Sequence, residues 1–277
     1  MKKILVIGLS GQVGDALLPL LREQDFQLLA LSRCERIGDA GLQWLRGSLE
    51  AMPALPTGID CILSLGPLDA FAAWFADCGL GHVRIVAVSS TGRVDKSRSI
   101  DPAERELAAR LQTAEAHLFA AGVRRDCVVT VLRPTLVYGG GRDRSLSQII
   151  AFGRRFGIVA LPSDATGLRQ PVHVADVASA LRRCIDAPGT EGQAFDLPGG
   201  ETLSFDVMVR RALASQAPRC RLVMLPASLW RLGLAVILLF ARAPLNQGQL
   251  ARLSLDQLAD AGPARRAFGY VPRGFAP

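Results

Sequence analysis

The chain has 277 residues, of which 49% are hydrophobic and 21% are charged. This balance is typical of a globular protein with one or two domains, and it excludes whole-chain disorder, collagen and coiled coil. The longest apolar run, 232–241, is too short to span a membrane, because a spanning helix needs about 18 apolar residues or more. The apolar stretch after Lys3 is also too short for a signal peptide, so we expect none.

Basic residues outnumber acidic ones by 32 to 25, which gives a formal net charge of +7. All but three of them are arginines, which favour bidentate partners such as phosphate and carboxylate. The arginines are scattered and aromatic residues make up only 6% of the chain, which argues against a nucleic-acid partner. The six cysteines and three histidines lack the spacing of a metal or redox site. We therefore expect no metal, buried free thiols and a cytoplasmic protein.

The first half of the chain alternates between apolar runs typical of buried strands and stretches with helical spacing. Strands are predicted at 3–7, 27–31, 61–65, 84–88 and 128–132, and helices at 12–22, 68–79 and 102–121. The last of these helices begins with a strong signal, since Asp101 can cap it and Pro102 occupies its first turn. This alternation predicts an α/β fold with a parallel sheet between two layers of helices.

The second half alternates less regularly. A glycine turn at 139–141 precedes further predicted helices at 145–156, 175–186 and 205–215, strands at 170–174, 193–197 and 220–224, and two or three helices at the end. The 170–186 unit reads as another strand and helix of the first domain. We therefore predict one domain from 1–140 plus about 168–188, and a smaller, discontinuous α/β domain from about 141–167 plus 189–277.

The first predicted strand runs into Gly8-Leu9-Ser10-Gly11-Gln12-Val13-Gly14, which then opens a helix. The first glycine permits a tight turn, the second lets a pyrophosphate approach the backbone, and the third lets the helix pack on the strand. The N-terminus of the helix offers free N–H groups to the phosphate. The position of this motif predicts a Rossmann-type, doubly wound domain that binds a dinucleotide, with a ligand-free strand–helix turn as the alternative.

The end of the second strand discriminates between the two nicotinamide cofactors. NAD enzymes place an acidic residue there to bind the ribose hydroxyl, whereas this chain has Ser32 and Arg33, followed by Arg36. Guanidinium groups suit a 2′-phosphate. We therefore predict NADP(H) in preference to NAD(H), which stays possible, and keep a solvated arginine surface as the alternative.

Several segments together resemble the extended or atypical short-chain dehydrogenases/reductases of the NAD-dependent epimerase/dehydratase type, which act on nucleotide sugars. The matching segments are 8–14, 88–92, 132–139, 168–178 and the tail 264–272, in the order expected of that family. The resemblance implies a smaller substrate-binding domain beside the Rossmann domain. It also implies cofactor contacts at Gly8, Ser10, Gly11, Gln12, Val13, Ser32, Arg33, Leu65, Gly66, Ser89, Ser90 and Pro134.

The same resemblance identifies Thr91 as the one match to the family's catalytic set. The family also uses a Tyr-x-x-x-Lys pair, in which the lysine lowers the pKa of the tyrosine. Here Leu107 and Leu111 stand at the corresponding positions, and neither tyrosine of the chain has a lysine four residues later. Of those two tyrosines, Tyr138 is expected to be structural, and Asp176 is expected to be a cap or hydrogen-bond anchor.

The resemblance implies that Arg169 grips the diphosphate of a nucleotide-sugar substrate, with an ordinary salt bridge as the alternative. Arg142 and Arg144, beside the glycine turn, are further candidates for phosphate contacts. The apolar segment 229–242 carries Trp230, Arg231 and Arg242 at its ends. It is interpreted as a buried helix, a subunit interface of a homodimer, or a peripheral contact with the inner face of a membrane.

Two classes of function therefore remain open from the sequence. The first is an NADP(H)-dependent oxidoreductase of the nucleotide-sugar epimerase/dehydratase type, with an atypical set of acid/base groups. The second is a non-catalytic cofactor-binding protein with a structural, sensor or membrane-assembly role. The arginines near the expected substrate favour the first class, and the missing tyrosine and lysine favour the second.

Overall fold

The computed structural model of the chain describes residues 1–143, 145–230 and 251–277. The strands it describes are β1 (Lys2–Ile7), β2 (Phe26–Ser32), β3 (Leu42–Arg46), β4 (Cys61–Ser64), β5 (Arg84–Val88), β6 (Val128–Pro134), β7 (Val137–Tyr138), β8 (Ile158–Pro162), β9 (Leu168–Arg169), β10 (Val172–His173), β11 (Gln193–Leu197), β12 (Leu203–Ser204) and β13 (Arg221–Leu225). The helices are α1 (Gln12–Arg22), α2 (Leu68–Asp77), α3 (Gly92–Asp95), α4 (Pro102–Arg124), α5 (Leu146–Phe156), α6 (Val174–Cys184), α7 (Phe205–Gln216) and α8 (Gly262–Phe268), and a 3₁₀ turn spans Arg252–Ser254.

The main sheet has seven parallel strands in the order β11-β6-β5-β4-β1-β2-β3. From β1 the chain first builds outward through β2 and β3, and it then returns to β4 on the other side of β1. The strand order therefore reverses between β1 and β4, which is where open α/β sheets bind their ligands. The predicted α/β fold with a doubly wound parallel sheet is confirmed, with β3 as a strand that the sequence analysis did not predict.

Alternation along the central strand explains the two core layers. In β1, Ile4 and Val6 face α1 and α6, whereas Leu5 and Ile7 face α2 and α4. All four side chains are at most 4% exposed. Each such burial stabilises the fold by about 1.5–3 kcal/mol. The sheet is therefore a rigid support for the loops that leave its carboxyl edge.

A third core cluster lies between α5, α7 and the small parallel sheet of β8 and β13. The sequence analysis placed 189–277 in the smaller domain, but within that range β11 pairs with β6 and completes the main sheet. The reason is that Phe195 and Leu197 of β11 are buried in the core beneath α6. The predicted 170–186 unit is also only half right, because α6 packs on α1 while β10 pairs with β7. The remaining domain boundaries stay a prediction.

Within the described ranges, no helix is long and apolar enough to cross a membrane. The same ranges contain no cluster of His, Cys, Asp and Glu that could hold a metal ion. All six cysteines are free thiols, but Cys34 is exposed, so the expectation of six buried thiols is wrong. Cys61 and Cys184 are buried, and desolvation raises the pKa of each to about 12, which keeps both protonated at neutral pH.

Candidate dinucleotide-binding site

The glycine loop after β1 has a backbone that only glycine accommodates at its first position. Gly8 has a φ of +86°, and its carbonyl accepts a hydrogen bond from the Gly11 N–H at 3.0 Å. A Cβ atom on Gly8 would lie 3.0 Å from the carbonyl carbon of Leu65 and 3.1 Å from the nitrogen of Gly66. The loop is thus pressed against the end of the neighbouring strand β4, with no room for a side chain.

The N-terminus of α1 faces this loop. Gly11 is its N-cap residue and has no side chain to satisfy the first backbone N–H groups, which are left for an anion. Gly14 permits the close approach of helix and strand, because a Cβ atom there would lie 2.0 Å from the carbonyl oxygen of Leu9. Gly8 and Gly14 therefore lie where a side chain would not fit, and the approach of a pyrophosphate at Gly11 stays a prediction.

The segment after β7 crosses over this loop. A Cβ atom on Gly140 would lie 2.7 Å from Cβ of Gln12, and the buried Oε1 of Gln12 has no hydrogen-bond partner among the described residues. Arg142 donates from Nη1 to the carbonyl of Ser10 at 3.1 Å, and it forms an ion pair with Asp15. The structure thus brings Arg142, predicted to contact substrate, to the cofactor loop.

The other predicted cofactor residues meet at the carboxyl edge of the sheet. They follow five strands in this way: Gly8 after β1, Ser32 and Arg33 at β2, Leu65 and Gly66 after β4, Ser89 and Ser90 after β5, and Pro134 at the end of β6. Parallel strands bring their carboxyl ends to one edge, and the reversal of strand order opens a crevice there. The predicted set therefore lies along one edge of the sheet, and its contacts with a cofactor stay a prediction.

The end of β2 carries the residues predicted to select the cofactor. The hydroxyl of Ser32 donates to the carbonyl of Cys34 at 2.7 Å, which tightens the turn that follows the strand. Arg33 is exposed and forms no ion pair with a described residue. The guanidinium of Arg36 lies over the ring of Trp44 on β3, 4.9 Å from its centroid. Two cations are thus available at this strand end.

The predicted catalytic residue lies at the start of α3. The backbone N–H of Thr91 donates to the carbonyl of Pro134 at 3.2 Å, and its hydroxyl reaches the same oxygen at 3.5 Å. The structure therefore joins Thr91 to the end of β6. Leu107 and Leu111, which stand where the family has tyrosine and lysine, are half-buried on α4. Leu111 packs against the core cluster that also contains Phe71.

The structure reveals a buried ionic network that the sequence analysis missed. Glu115 on α4 is 2% exposed, and it accepts a hydrogen bond from the hydroxyl of Ser89 at 2.6 Å. Nε of Arg133 donates to both of its carboxylate oxygens at 3.1 Å, and Arg93 lies 3.3 Å away. The network ties β5, β6 and α4 together at the site. A glutamate within the apolar spacing of α4 is the sequence signal for it.

Lys96 is a second residue near the site that the sequence analysis did not consider. Its Cε and the hydroxyl of Ser90 lie 3.4 and 3.2 Å from the point where a side chain on Gly92 would begin. The amine forms no ion pair with a described residue, and burial together with Arg252 lowers its pKa. The signal in the sequence is plain, because Lys96 is the single lysine beyond residue 3.

The side chain of Arg169 is buried more deeply than that of an arginine that is free to bind a substrate. It is 4% exposed and donates to the carbonyls of Leu168 at 2.8 Å, Leu255 at 2.7 Å and Arg252 at 2.5 Å. The guanidinium therefore fastens the C-terminal segment to β9. No contact joins it to Arg142 within the described parts of the chain, and Arg144 lies outside them. The role of Arg169 toward a substrate stays a prediction.

The remaining polar residues of the matching segments hold the C-terminal tail. The buried hydroxyl of Tyr138 accepts from the N–H of Ala276 at 3.1 Å, and burial raises its pKa. Asp176 accepts from the backbone N–H and from Nε of Arg273 at 3.0 and 2.8 Å, as a hydrogen-bond anchor does. His173 caps α6 by accepting from Ala175 at 3.2 Å. These contacts are structural, in line with the expectations for Tyr138 and Asp176.

Comparison with known proteins gives one curated relative and many similar structures. No family model matches the chain. The 2-alkyl-3-oxoalkanoate reductase of Stenotrophomonas maltophilia is 26% identical over 98% of this chain and 95% of its own length. MoeE5 in complex with UDP-glucuronic acid and NAD superimposes with a TM-score of 0.72 at 20% identity, covering 99% of this chain and 94% of that one.

A second structure supports the same conclusion. The UDP-glucuronic acid 4-epimerase from Bacillus cereus, in complex with NAD, has a TM-score of 0.71 at 13% identity and covers 98% of this chain and 93% of that one. These proteins share the seven-stranded Rossmann-type architecture over nearly their whole lengths. The resemblance to the extended short-chain dehydrogenases/reductases is thereby confirmed: the chain has the fold of the NAD-dependent nucleotide-sugar epimerases and dehydratases.

Proposed function

We propose that this protein binds NADP(H) at the carboxyl edge of its main sheet and is an oxidoreductase related to nucleotide-sugar epimerases and dehydratases. The observation that carries the proposal is the geometry of the Gly8–Gly14 loop. The left-handed Gly8 and the uncapped N-terminus of α1 together leave backbone N–H groups for a pyrophosphate.

The described residues fit a nicotinamide dinucleotide. The loop residues Ser10 to Val13 would bind the pyrophosphate through backbone N–H groups, with Arg142 adding a positive charge beside them. Leu65, Gly66, Ser89, Ser90 and Pro134 would line the remaining length of the crevice. When bound, the nicotinamide accepts or donates a hydride. The chain itself binds the cofactor, orients it and supplies the proton-transfer groups.

The preference for NADP(H) is supported by the cationic end of β2. Arg33 forms no salt bridge with a described residue, but it has an acidic neighbour: the pKa of Glu50 is lowered by hydrogen bonds to the backbone and to Ser48 and also by the charge of Arg33. Arg36 lies over the ring of Trp44. Calorimetric titration should give a lower Kd for NADPH than for NADH. Arg33→Ala should remove much of that difference, about 1–3 kcal/mol for a lost charge-assisted hydrogen bond. Arg124→Ala, a change at an exposed arginine near the end of α4, is the matched control. Tighter binding of NADH by the unaltered protein would contradict the preference.

A nucleotide sugar is the substrate class that the structural neighbours favour, because two of them are described with UDP-glucuronic acid and UDP-glucose. The missing tyrosine and lysine should make turnover weak, since losing one positioned acid/base group costs about 10²–10⁴ in rate. We therefore expect NADPH to bind, with little or no turnover of UDP-glucose or UDP-glucuronic acid. A protein that binds the cofactor and has no turnover at all would also fit this expectation. Turnover of either sugar at rates typical of epimerases would show that the missing tyrosine and lysine do not limit the reaction.

A second candidate is the reduction of a ketone, and the curated relative favours it. That protein is named a 2-alkyl-3-oxoalkanoate reductase and aligns over 98% of this chain. Such a reduction would take its hydride from the bound cofactor, and the residues of this chain would have to deliver one proton to the carbonyl oxygen. Oxidation of NADPH, followed at the absorbance of the reduced nicotinamide, would report reduction of a 3-oxo acid. Epimerisation or dehydration of a nucleotide sugar consumes no net NADPH, so that candidate is tested by chromatography of the sugar product.

A further inference from the structure

Two stretches of the chain contain arginines and no acidic residue. Between Asp143 and Asp164 the sequence has three arginines and no acidic residue, and between Asp206 and Asp256 it has seven arginines and no acidic residue. These stretches contain α5, β8, β13 and most of α7. Three of these arginines, Arg210, Arg211 and Arg252, form ion pairs with acidic residues. The other arginines of these stretches that the structure describes form no ion pair with a described residue, and their charge attracts anionic partners.

An exposed aromatic pair lies within this region. Phe152 and Phe156, on the outer face of α5, are 50% and 56% exposed, and their ring centroids are 4.5 Å apart. Ile158, the first residue of β8, is 48% exposed. The opposite face of the helix is buried through Leu146 and Ile150, so the fold does not need the exposed side chains for its core. Large apolar side chains grouped on a surface are typical of an interaction site.

Two arginines border these apolar side chains. The guanidinium of Arg155 lies over the ring of Phe156, 5.4 Å from its centroid. Arg221 lies beside Ile158 in the register of β8 and β13. Both arginines are exposed, and neither forms an ion pair with a residue that the structure describes. Phe152, Arg155, Phe156, Ile158 and Arg221 together are named the aromatic–arginine patch.

The patch is continuous with the start of the apolar segment 229–242. The indole N–H of Trp230 donates to the carbonyl of Ala160 on β8 at 2.9 Å, and Leu229 beside it is 58% exposed. The sequence then places arginines at 231 and 242 around ten residues that are all apolar or glycine. The residues 231–250 lie outside the described structure, but their composition matches that of the patch.

We propose that the aromatic–arginine patch docks on an anionic lipid surface. Phe152, Phe156 and Ile158 would enter the boundary between headgroups and acyl chains, while Arg155 and Arg221 would contact lipid phosphates. Exposed aromatic and aliphatic side chains beside arginines are the composition of interfacial membrane-binding surfaces. A nucleic acid would match the charge of the arginines, but it would not bind the exposed apolar side chains of Phe152, Phe156 and Ile158.

This docking is independent of the proposed oxidoreductase activity, because the patch lies on α5, β8 and β13 and not at the strand ends that bind the cofactor. Sedimentation of the full chain with vesicles measures it directly. Vesicles of phosphatidylglycerol and phosphatidylcholine should bind the protein, pure phosphatidylcholine should bind it much more weakly, and binding to the anionic vesicles should fall as salt rises from about 0.05 M to 0.5 M.

Two double variants test the patch itself. Phe152→Ser with Phe156→Ser should lower the vesicle partition coefficient roughly tenfold or more, because two buried rings are lost from the interface. Arg155→Gln with Arg221→Gln should lower it about fivefold per arginine on anionic vesicles. Val123→Ser, a change at a side chain on α4 that is 84% exposed, is the control and should bind as the unaltered protein does.

Other outcomes would overturn the proposal. Unchanged vesicle binding in Phe152→Ser with Phe156→Ser would do so, provided its thermal melting and NADPH affinity match those of the control. Tighter binding of a short RNA or DNA duplex than of anionic vesicles would assign the patch to nucleic acid. A dimer that this variant converts to a monomer, without vesicle binding, would assign the patch to a second copy of the chain. Retained NADPH binding in each case separates these outcomes from a failure of the proposed function.

Discussion

Replacing Glu115 by alanine should destabilise the protein by about 3 kcal/mol, because two guanidinium groups would lose their buried counter-ion. The partly exposed Asp196, 3.8 Å from Nη1 of Arg133, would remain as a weaker partner. The carboxylate of Glu115 is 2% exposed and accepts hydrogen bonds from Ser89 at 2.6 Å and from Arg133 at 3.1 Å, with Arg93 at 3.3 Å. Breaking such a pair costs about 3–5 kcal/mol when the remaining charge stays dry. The arginine side chains are 18% and 25% exposed, so water regains part of the loss and the lower end of that range applies.

Urea denaturation followed by circular dichroism measures this change in the free energy of unfolding. Ser89→Ala removes one hydrogen bond to the carboxylate and should cost about 1–2 kcal/mol. Glu106→Ala, an exposed change on the same helix, should stay within about 0.5 kcal/mol of the unaltered protein. If Glu115→Ala costs less than about 1 kcal/mol, water compensates the arginines fully, and Glu115 does not hold Ser89 in place at the site.

Three further predictions concern the loop, the proton-transfer groups and pH. Gly8→Ala should weaken NADPH binding measured by calorimetry, since its φ is +86° and its Cβ would meet β4, whereas Gly157→Ala, at a φ of +72° with open space around it, should leave affinity unchanged. Any turnover should fall sharply in Thr91→Ala and survive in Tyr138→Phe, measured by NADPH absorbance for a 3-oxo acid and by chromatography of the product for a nucleotide sugar. The reverse pattern would show that the catalytic site is not at Thr91. Burial and Arg273 lower the pKa of His173, so its contribution to stability is present above the unfolded pKa of about 6.5 and is lost as pH falls toward the folded value. Denaturation between pH 7 and 5 should therefore lose less stability in His173→Asn, which keeps a cap for α6, than in the unaltered protein.

Much of the nucleotide-binding half follows from local sequence signals. The strands β1, β2, β4, β5 and β6 are short apolar runs buried on both faces, and each ends at a glycine, a serine or a proline that lies at the site. Such signals are local, so periodicity and turn residues suffice to find them. The strand β3 was not predicted because its sequence, Leu-Gln-Trp-Leu-Arg, is neither a continuous apolar run nor a strict alternation of apolar and polar residues.

The rest depends on contacts between residues far apart in the chain. The pairing of β11 with β6 joins positions about 60 residues apart, and no local pattern distinguishes it from pairing within the smaller layer. The sequence could not reveal that the guanidinium of Arg169 is already hydrogen-bonded, because two of its carbonyl partners, Arg252 and Leu255, lie more than 80 residues away. The spacing of residues in the sequence does not reveal hydrogen bonds from a side chain to a distant backbone carbonyl.

The departure from the family at α4 limits the chemistry that the site can perform. Leu111 packs against the core and Leu107 is half-buried, so α4 reaches the site through the ionic network of Glu115 and supplies no proton donor at those two positions. What remains near the end of β5 is the hydroxyl of Thr91, bonded to a carbonyl, and the amine of Lys96, whose pKa is lowered by burial. Epimerisation removes a hydroxyl proton and then returns one, which needs a strong base. Reduction of a ketone needs one proton delivered once, so it places the weaker demand on these groups.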